Sequence, residues 1–194
     1  MKRLSREFFL KPTLKVAQEL LGKVLVRKYQ GKLIKGIIVE TEAYIGPKDK
    51  ASHAYQNKLT KRNIVEYFLG GFCYLYLIYG MYWQLNITTS LANRPECVLL
   101  RAVFPLSKKE NFVDGPGKLC QYFKLDQSFY GEDLVFSKRL WLEDWKIRFK
   151  KSEIKRKPRI GIDYAGPYWS KIKWRFLVEK KDFLNRISLG SEVV

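Results

Sequence analysis

The chain is short of acid and almost without histidine. Its 194 residues hold 19 Asp or Glu against 37 Lys or Arg, a formal charge of +18, and a single histidine, His53. One histidine excludes a histidine-rich metal centre. The three cysteines, Cys73, Cys97 and Cys120, are odd in number and widely spaced, which excludes a disulfide framework and zinc-ligand spacing. No cofactor and no metal are therefore expected. No run reaches the roughly 18 continuous apolar residues of a membrane span. Met1-Lys2-Arg3-Leu4-Ser5 is followed by no long apolar stretch, so no secretory signal and no membrane partner are expected, and a cytoplasmic location is the default.

What is present in excess is positive charge. A surface of this kind repels itself unless something anionic neutralises it. Nucleic acid is the leading partner and an anionic membrane face the second, with a lysine-rich coding bias as the bland explanation. Residues 1–35 hold ten Lys or Arg against Glu7 and Glu19, and residues 145–159 hold eight against Glu153. The chain between them is more apolar and aromatic. No repeat, heptad series or low-complexity linker divides it, so residues 1–194 are read as one domain.

Thr13 is a candidate cap for a helix whose stripe is Val16, Ala17, Leu20 and Leu21, stopped by Gly22. Lys23–Tyr29 and Lys32–Thr41 read as a hairpin around Gln30-Gly31. Asn57–Thr60 reads as a turn, with Thr60 capping a short helix Lys61–Phe68 broken by Gly70-Gly71. Phe72–Tyr79 and Tyr82–Thr89 form a second strand pair around Gly80, and Cys97–Phe104 a further strand ended by Pro105. A helix is expected over Lys118–Phe123, and later strands at Trp145–Phe149, Arg159–Ile162 and Lys173–Val178. Long crossover helices are missing, which argues against a doubly wound fold. The expected class is α+β: a single mixed domain with a curved, mostly antiparallel, open-barrel-like sheet and short flanking helices.

Three segments carry candidate chemistry. In Val39-Glu40-Thr41-Glu42-Ala43-Tyr44, alternation puts Glu40 and Glu42 on one strand face, where repulsion or burial raises one pKa toward a general base; salt bridging to the abundant lysines is the plain alternative. His53 follows, near Asp49 and Ser52, as a structural hydrogen-bonder or a group that orients a substrate edge. Tyr74, Tyr76, Tyr79 and Tyr82 crowd the second hairpin. They are either core residues, the stronger reading for Tyr74 and Tyr82, or stacking surfaces for bases, with Tyr79 at the turn as a wedge between base pairs. Gly115-Pro116-Gly117-Lys118 is a bend opening a helix, with exposed N–H groups and a lysine that suit a phosphate.

Taken together, LLGKVLVR at 20–27, IIVETEAYIGPKDKASHAY at 37–55, TKRN at 60–63, YLYLIYGMYWQLN at 74–86, CVLLRAVFP at 97–105 and GPGKLCQYF at 115–123 resemble the alkyladenine (3-methyladenine, or methylpurine) DNA glycosylases of the mammalian type. Weaker likeness continues through 159–166 and 174–178. The resemblance implies an enzyme that flips a damaged purine from duplex DNA and hydrolyses its N-glycosidic bond without nicking the strand. It carries the catalytic glutamate onto Glu42 rather than Glu40, and the arginine near the active-site water onto Arg101. The base-clasping tyrosines fall on Tyr44 and Tyr76, the pocket-closing histidine on His53, the base-edge asparagine on Asn86 and the intercalating tyrosine on Tyr79. The loop after Phe104 is shorter here than in the mammalian form, as in a compact bacterial-type enzyme.

The residues suit that reaction on their own terms. An ionised Glu42 stabilises positive charge developing at the sugar C1′ and accepts a proton from water, while Arg101 holds the carboxylate or the water. Tyr44 and Tyr76 offer π-faces to an electron-poor base. A lyase needs a desolvated lysine at C1′; Lys118 is the nearest, and a DNA-phosphate or structural role fits it better. Duplex DNA with a damaged purine is the expected partner, with no obligate protein partner and a monomeric state. The rivals are a non-catalytic damaged-DNA binding protein and an RNA-binding protein, against which the ETEAY segment and Arg101 discriminate.

Overall fold

The computed structural model describes residues 1–107 and 111–188. Residues 108–110, within the loop after Phe104, are outside it. In chain order the described elements are β1 (Lys2–Arg3), α1 (Arg6–Phe9), α2 (Thr13–Glu19), β2 (Val24–Tyr29), β3 (Lys32–Ile45), β4 (Cys73–Ile78), β5 (Tyr82–Thr88), β6 (Glu96–Pro105), β7 (Val113–Asp114), α3 (Pro116–Tyr122), β8 (Leu140–Asp144), β9 (Ile154–Lys157), α4 (Gly166–Lys171), β10 (Arg175–Val178) and α5 (Lys180–Ser188). The strands form one open sheet in the order β1-β8-β2-β3-β6-β5-β4. Strand β10 also pairs with β3 and carries β9 on its outer side, and β7 pairs with β6. All of these pairings are antiparallel. The α+β expectation with short helices around a curved sheet therefore holds.

Strand β3 organises the molecule. It begins at a two-residue hairpin in which Gln30 and Gly31 both have positive φ, 47° and 77°, the backbone twist that matches two right-twisted strands. It then runs four residues beyond the expected end at Thr41, because β10 takes over from β2 along its outer edge while β6 follows the other. Register shifts against β6 fall between Ile38 and Glu40 and between Glu40 and Thr41. Such irregularities add twist, which curves the sheet at the stretch that carries the two acids.

One core lies against this sheet. The α2 stripe Val16, Ala17, Leu20 and Leu21 is buried on it, and the Thr41 hydroxyl donates to the Ala17 carbonyl at 2.7 Å. Gly22 ends the stripe with φ +86°, and a Cβ there would meet the Ile147 carbonyl oxygen at 2.7 Å. From later in the chain, Leu119, Cys120 and Phe123 of the α3 region join the same cluster.

Several local expectations need correction. Thr13 does not cap α2: Pro12 holds the cap position, and the Thr13 hydroxyl reaches across to Thr89 at 2.7 Å and to Glu96. The helix expected over Lys61–Phe68 is a single 3-10 turn at Ile64–Tyr67, because the Asn63 side chain accepts from the Thr60 N–H and hydroxyl and holds the preceding segment as a turn. No strand forms at Trp145–Phe149. Lys146 takes a positive φ of 62° with its N–H on Asp144, so the strand lies before it, as β8. No strand forms at Arg159–Ile162 either, where Pro158 precedes and Gly161 turns with φ +74°; the strand is β9. Tyr74 is a core residue, but Tyr82 is 43% exposed, lying over Gly117 where α3 leaves no side chain.

Candidate active site

A cavity of about 760 Å³ opens where β3, β4, β5 and β6 meet the segments 51–66 and 160–164. That volume lies in the range of small-molecule sites, roughly 300–1,000 Å³. Among the residues singled out from the sequence, Tyr44, His53, Tyr76, Tyr79, Asn86 and Arg101 line it. Glu42 is fully enclosed immediately behind the lining, and Lys118 is exposed on α3, where Pro116 rather than the lysine borders the cavity.

The Glu42 carboxylate is held by two hydrogen bonds and one ion pair. The Tyr44 hydroxyl donates to Oε2 at 2.8 Å, and the Ile160 N–H donates to Oε1 at 2.9 Å. The Arg101 Nε lies 3.4 Å from the same Oε1. Each of these three residues also lines the cavity, so the carboxylate is one side chain from it. Arg101 Nε donates to Glu40 at 2.9 Å, and Glu40 accepts from Arg175 at 3.1 Å, which puts both acids of the ETEAY segment on the Arg101 side of the strand. Burial pushes the Glu42 carboxyl above its ordinary range, opposed by the Arg101 charge, the Ile160 N–H and the Tyr44 hydroxyl. Burial, with the Glu42 charge beside it, pushes the Tyr44 phenol well up, so Tyr44 stays a donor.

Behind Tyr44 stands Arg159, whose guanidinium lies 4.7 Å from the Tyr44 ring centroid and 5.1 Å from that of Trp174. It pairs with Asp49 at 2.5 and 2.9 Å and donates to the Ala43 carbonyl, and both charged side chains are fully buried. This pair fixes the backbone at 159–160 that presents the Ile160 N–H to Glu42. Sequence reasoning missed it, since Arg159 stands at the end of a basic run that reads as solvated. Its one local signal is the switch to Ile160-Gly161-Ile162 straight after it.

On the β4 side, His53 Nδ1 and the Tyr74 hydroxyl are 2.6 Å apart, and the His53 ring meets Tyr76 edge-on at 4.7 Å between centroids. Burial, helped by Arg62 and Lys58, pushes His53 down to about 4, so it is neutral at pH 7. The Arg62 guanidinium lies 5.1 Å from the Tyr76 ring centroid. Asn86 is buried, donates to the Tyr74 carbonyl at 3.3 Å and faces the Cys97 thiol. Glu66, a residue no sequence signal marked, also lines the cavity and is 1% exposed. At the mouth, Tyr79 has φ 52° and is 86% exposed, the consequence of a tight hairpin tip at Tyr79-Gly80.

The arrangement can hold a flat, electron-poor ring against tyrosine faces and bring a buried carboxylate to bear on a charge developing beside it. Comparison with known proteins gives the same direction. Residues 7–182 match the family model described as methylpurine-DNA glycosylase. A Natranaerobius thermophilus protein with the provisional name 3-methyladenine DNA glycosylase is 41% identical over 197 residues, covering 94% of this chain and 98% of its own. Proteins with the same provisional name from Clostridioides difficile and Borrelia garinii subsp. bavariensis are each 39% identical, covering 91% and 94% of this chain and all of their own.

Proposed function

The chain belongs to the methylpurine-DNA glycosylase family, and from that premise we propose that it is a monofunctional enzyme excising alkylated purines flipped out of duplex DNA, acting as a cytoplasmic monomer. The observation that carries this reading is the Glu42 carboxylate, buried one side chain from the cavity and ordered by Tyr44, Ile160 and Arg101.

In the reaction the C1′–N bond breaks and its electrons leave with the base, which departs neutral if it arrived as an alkylated cation. Glu42, ionised, stabilises the positive charge left on the sugar. Two hydrogen bonds leave lone pairs free on the carboxylate, and one of these takes the proton of the water whose oxygen bonds to C1′. The products are free base and an abasic sugar. Arg101 fixes the carboxylate and, through Glu40, its strand. Tyr44 and Tyr76 stack on the base, each contact worth roughly 1–3 kcal/mol. His53, neutral, and Asn86 meet its edge.

Tyr79 suits the role of a wedge that fills the vacated stack, being exposed at a hairpin tip on the cavity wall. The +18 charge supplies salt-sensitive contacts to phosphates, Lys118 among them. Incubating the protein with alkylated duplex DNA tests the reading. Free methylated purine with strands left uncut until alkali treatment is the expected result. Strand scission without alkali, or no released base, contradicts it.

A further inference from the structure

One carboxyl of the cavity has no place in that mechanism. Glu66 stands on the 3-10 turn Ile64–Tyr67, which packs on β4, β5 and β6. Its Oε1 accepts from the Cys97 thiol at 3.5 Å, while its buried Oε2 has no hydrogen-bond partner. A buried carboxyl oxygen without a partner is costly. The Asn63 amide is close enough to favour the ionised carboxyl, but it is shared with two carbonyls. The Asn63 amide donates to the Lys58 and His53 carbonyls at 2.8 and 3.2 Å, and Asn86 donates to Tyr74.

Among the described residues Glu66 is also the only acid lining the cavity. Neither arginine that lines it pairs with Glu66: Arg101 goes to Glu40 and Glu42, and Arg62 lies over the Tyr76 ring and donates to the Leu77 carbonyl at 3.3 Å. Among the described residues, Glu66 thus keeps one carboxyl oxygen with no hydrogen-bond or ion-pair partner. Resting on the proposed function, we propose that Glu66 is a specificity residue that selects positively charged, alkylated purines over neutral ones, its carboxylate pairing through Oε2 with the cationic base.

Aromatic faces alone separate cationic from neutral purines only modestly, since both stack. A carboxylate separates them by charge, and charged hydrogen bonds are stronger than neutral ones. Burial pushes the Glu66 carboxyl up to about 7, and a cation beside it favours the ionised form. The titratable groups around it do not compete. Burial raises Cys97, Tyr74, Tyr67 and Tyr130 and keeps them neutral, and His53 is held neutral as well. A neutral base such as hypoxanthine or ethenoadenine gains no charge pairing.

Equilibrium binding tests this with duplexes carrying a single 7-methylguanine (cationic) or hypoxanthine (neutral), measured in a Glu42→Gln background to suppress excision. Adding Glu66→Gln is expected to weaken binding to the 7-methylguanine duplex about tenfold or more, and to the hypoxanthine duplex less than about threefold. Glu66→Met, which keeps volume and removes all polarity, should do the same, and thermal melting of both variants checks their folding. Parallel weakening on the two duplexes, or no change on either, overturns the role of Glu66. Release of 7-methylguanine by the parent protein tests the proposed function separately, and a parent that releases none overturns that function and this inference with it.

Discussion

Glu42 and Glu66 are both enclosed beside the same cavity, and the protein treats them in opposite ways. Around Glu42 the chain has gathered a phenol, a backbone N–H and a guanidinium, and has braced them with the buried Asp49–Arg159 pair. Around Glu66 it has left an oxygen without a partner. The first is a charge prepared in advance, whose surroundings need not reorganise when a reaction calls on it. The second stays uncommitted until a ligand arrives. Burial alone raises both acids, so burial does not tell them apart; the count of donors does.

The largest effect should come from the prepared side. Glu42→Gln is expected to lower base release from alkylated duplex by roughly 10²–10⁴-fold while lesion binding survives, read by single-turnover kinetics beside equilibrium binding. Release at the parental rate would break the contrast at its root. Next comes the brace. Asp49→Ala leaves the Arg159 charge buried alone and should destabilise the fold by about 3–5 kcal/mol in denaturant melts. A loss under about 1 kcal/mol would mean that solvent reaches Arg159 after all.

The uncommitted side predicts a gain. With its carboxyl raised from the ordinary 4.5 to about 7 by burial, the folded protein keeps a proton there that the unfolded chain gives up. Stability is therefore lost as pH rises from about 4.5 to about 7. Glu66→Gln should match the parent near pH 4.5 and exceed it at pH 8 by up to about 3 kcal/mol, measured by melts at both pH values. Equal stability at pH 8 would put Glu66 in the same class as Glu42. A smaller effect sharpens the comparison. Glu42 must be ionised to act, so base release should fall on acidification through a pKa above the ordinary carboxylate range. Tyr44→Phe removes one donor to the ionised form, and should move that acidic limb further up while the stacking face remains. An unmoved limb would separate Tyr44 from the titration.

Much of this was legible in the sequence because it is local. The Gln30-Gly31 hairpin, the α2 stripe and the paired strands around Gly80 follow from turn chemistry and from periods of two and 3.6. Tyr44, Tyr76, Asn86 and Arg101 sit on consecutive strands, so alternation with the family likeness was enough to bring them to one place. The residues that escaped depend on distant partners. Arg159 is buried only because Asp49, Ala43 and Trp174 receive it. Glu66 is enclosed only because β6 brings Cys97 against its turn. Lys118 shows the converse: its bend was read as a phosphate cradle from its own residues, and the fold sets it beside the cavity rim rather than on the lining.

The three cysteines carry a practical consequence. All are buried free thiols, and burial raises every one of them, Cys120 to about 12, so the native protein holds almost no reactive thiolate. Cys73 and Cys120 belong to the main core, whereas Cys97 sits with Tyr74 and Val65 in a smaller cluster at the cavity wall. Labelling by a thiol reagent must wait for these regions to open. Its time course therefore works as a two-channel clock, timing the breathing of the cavity wall against the unfolding of the core with no engineered cysteine.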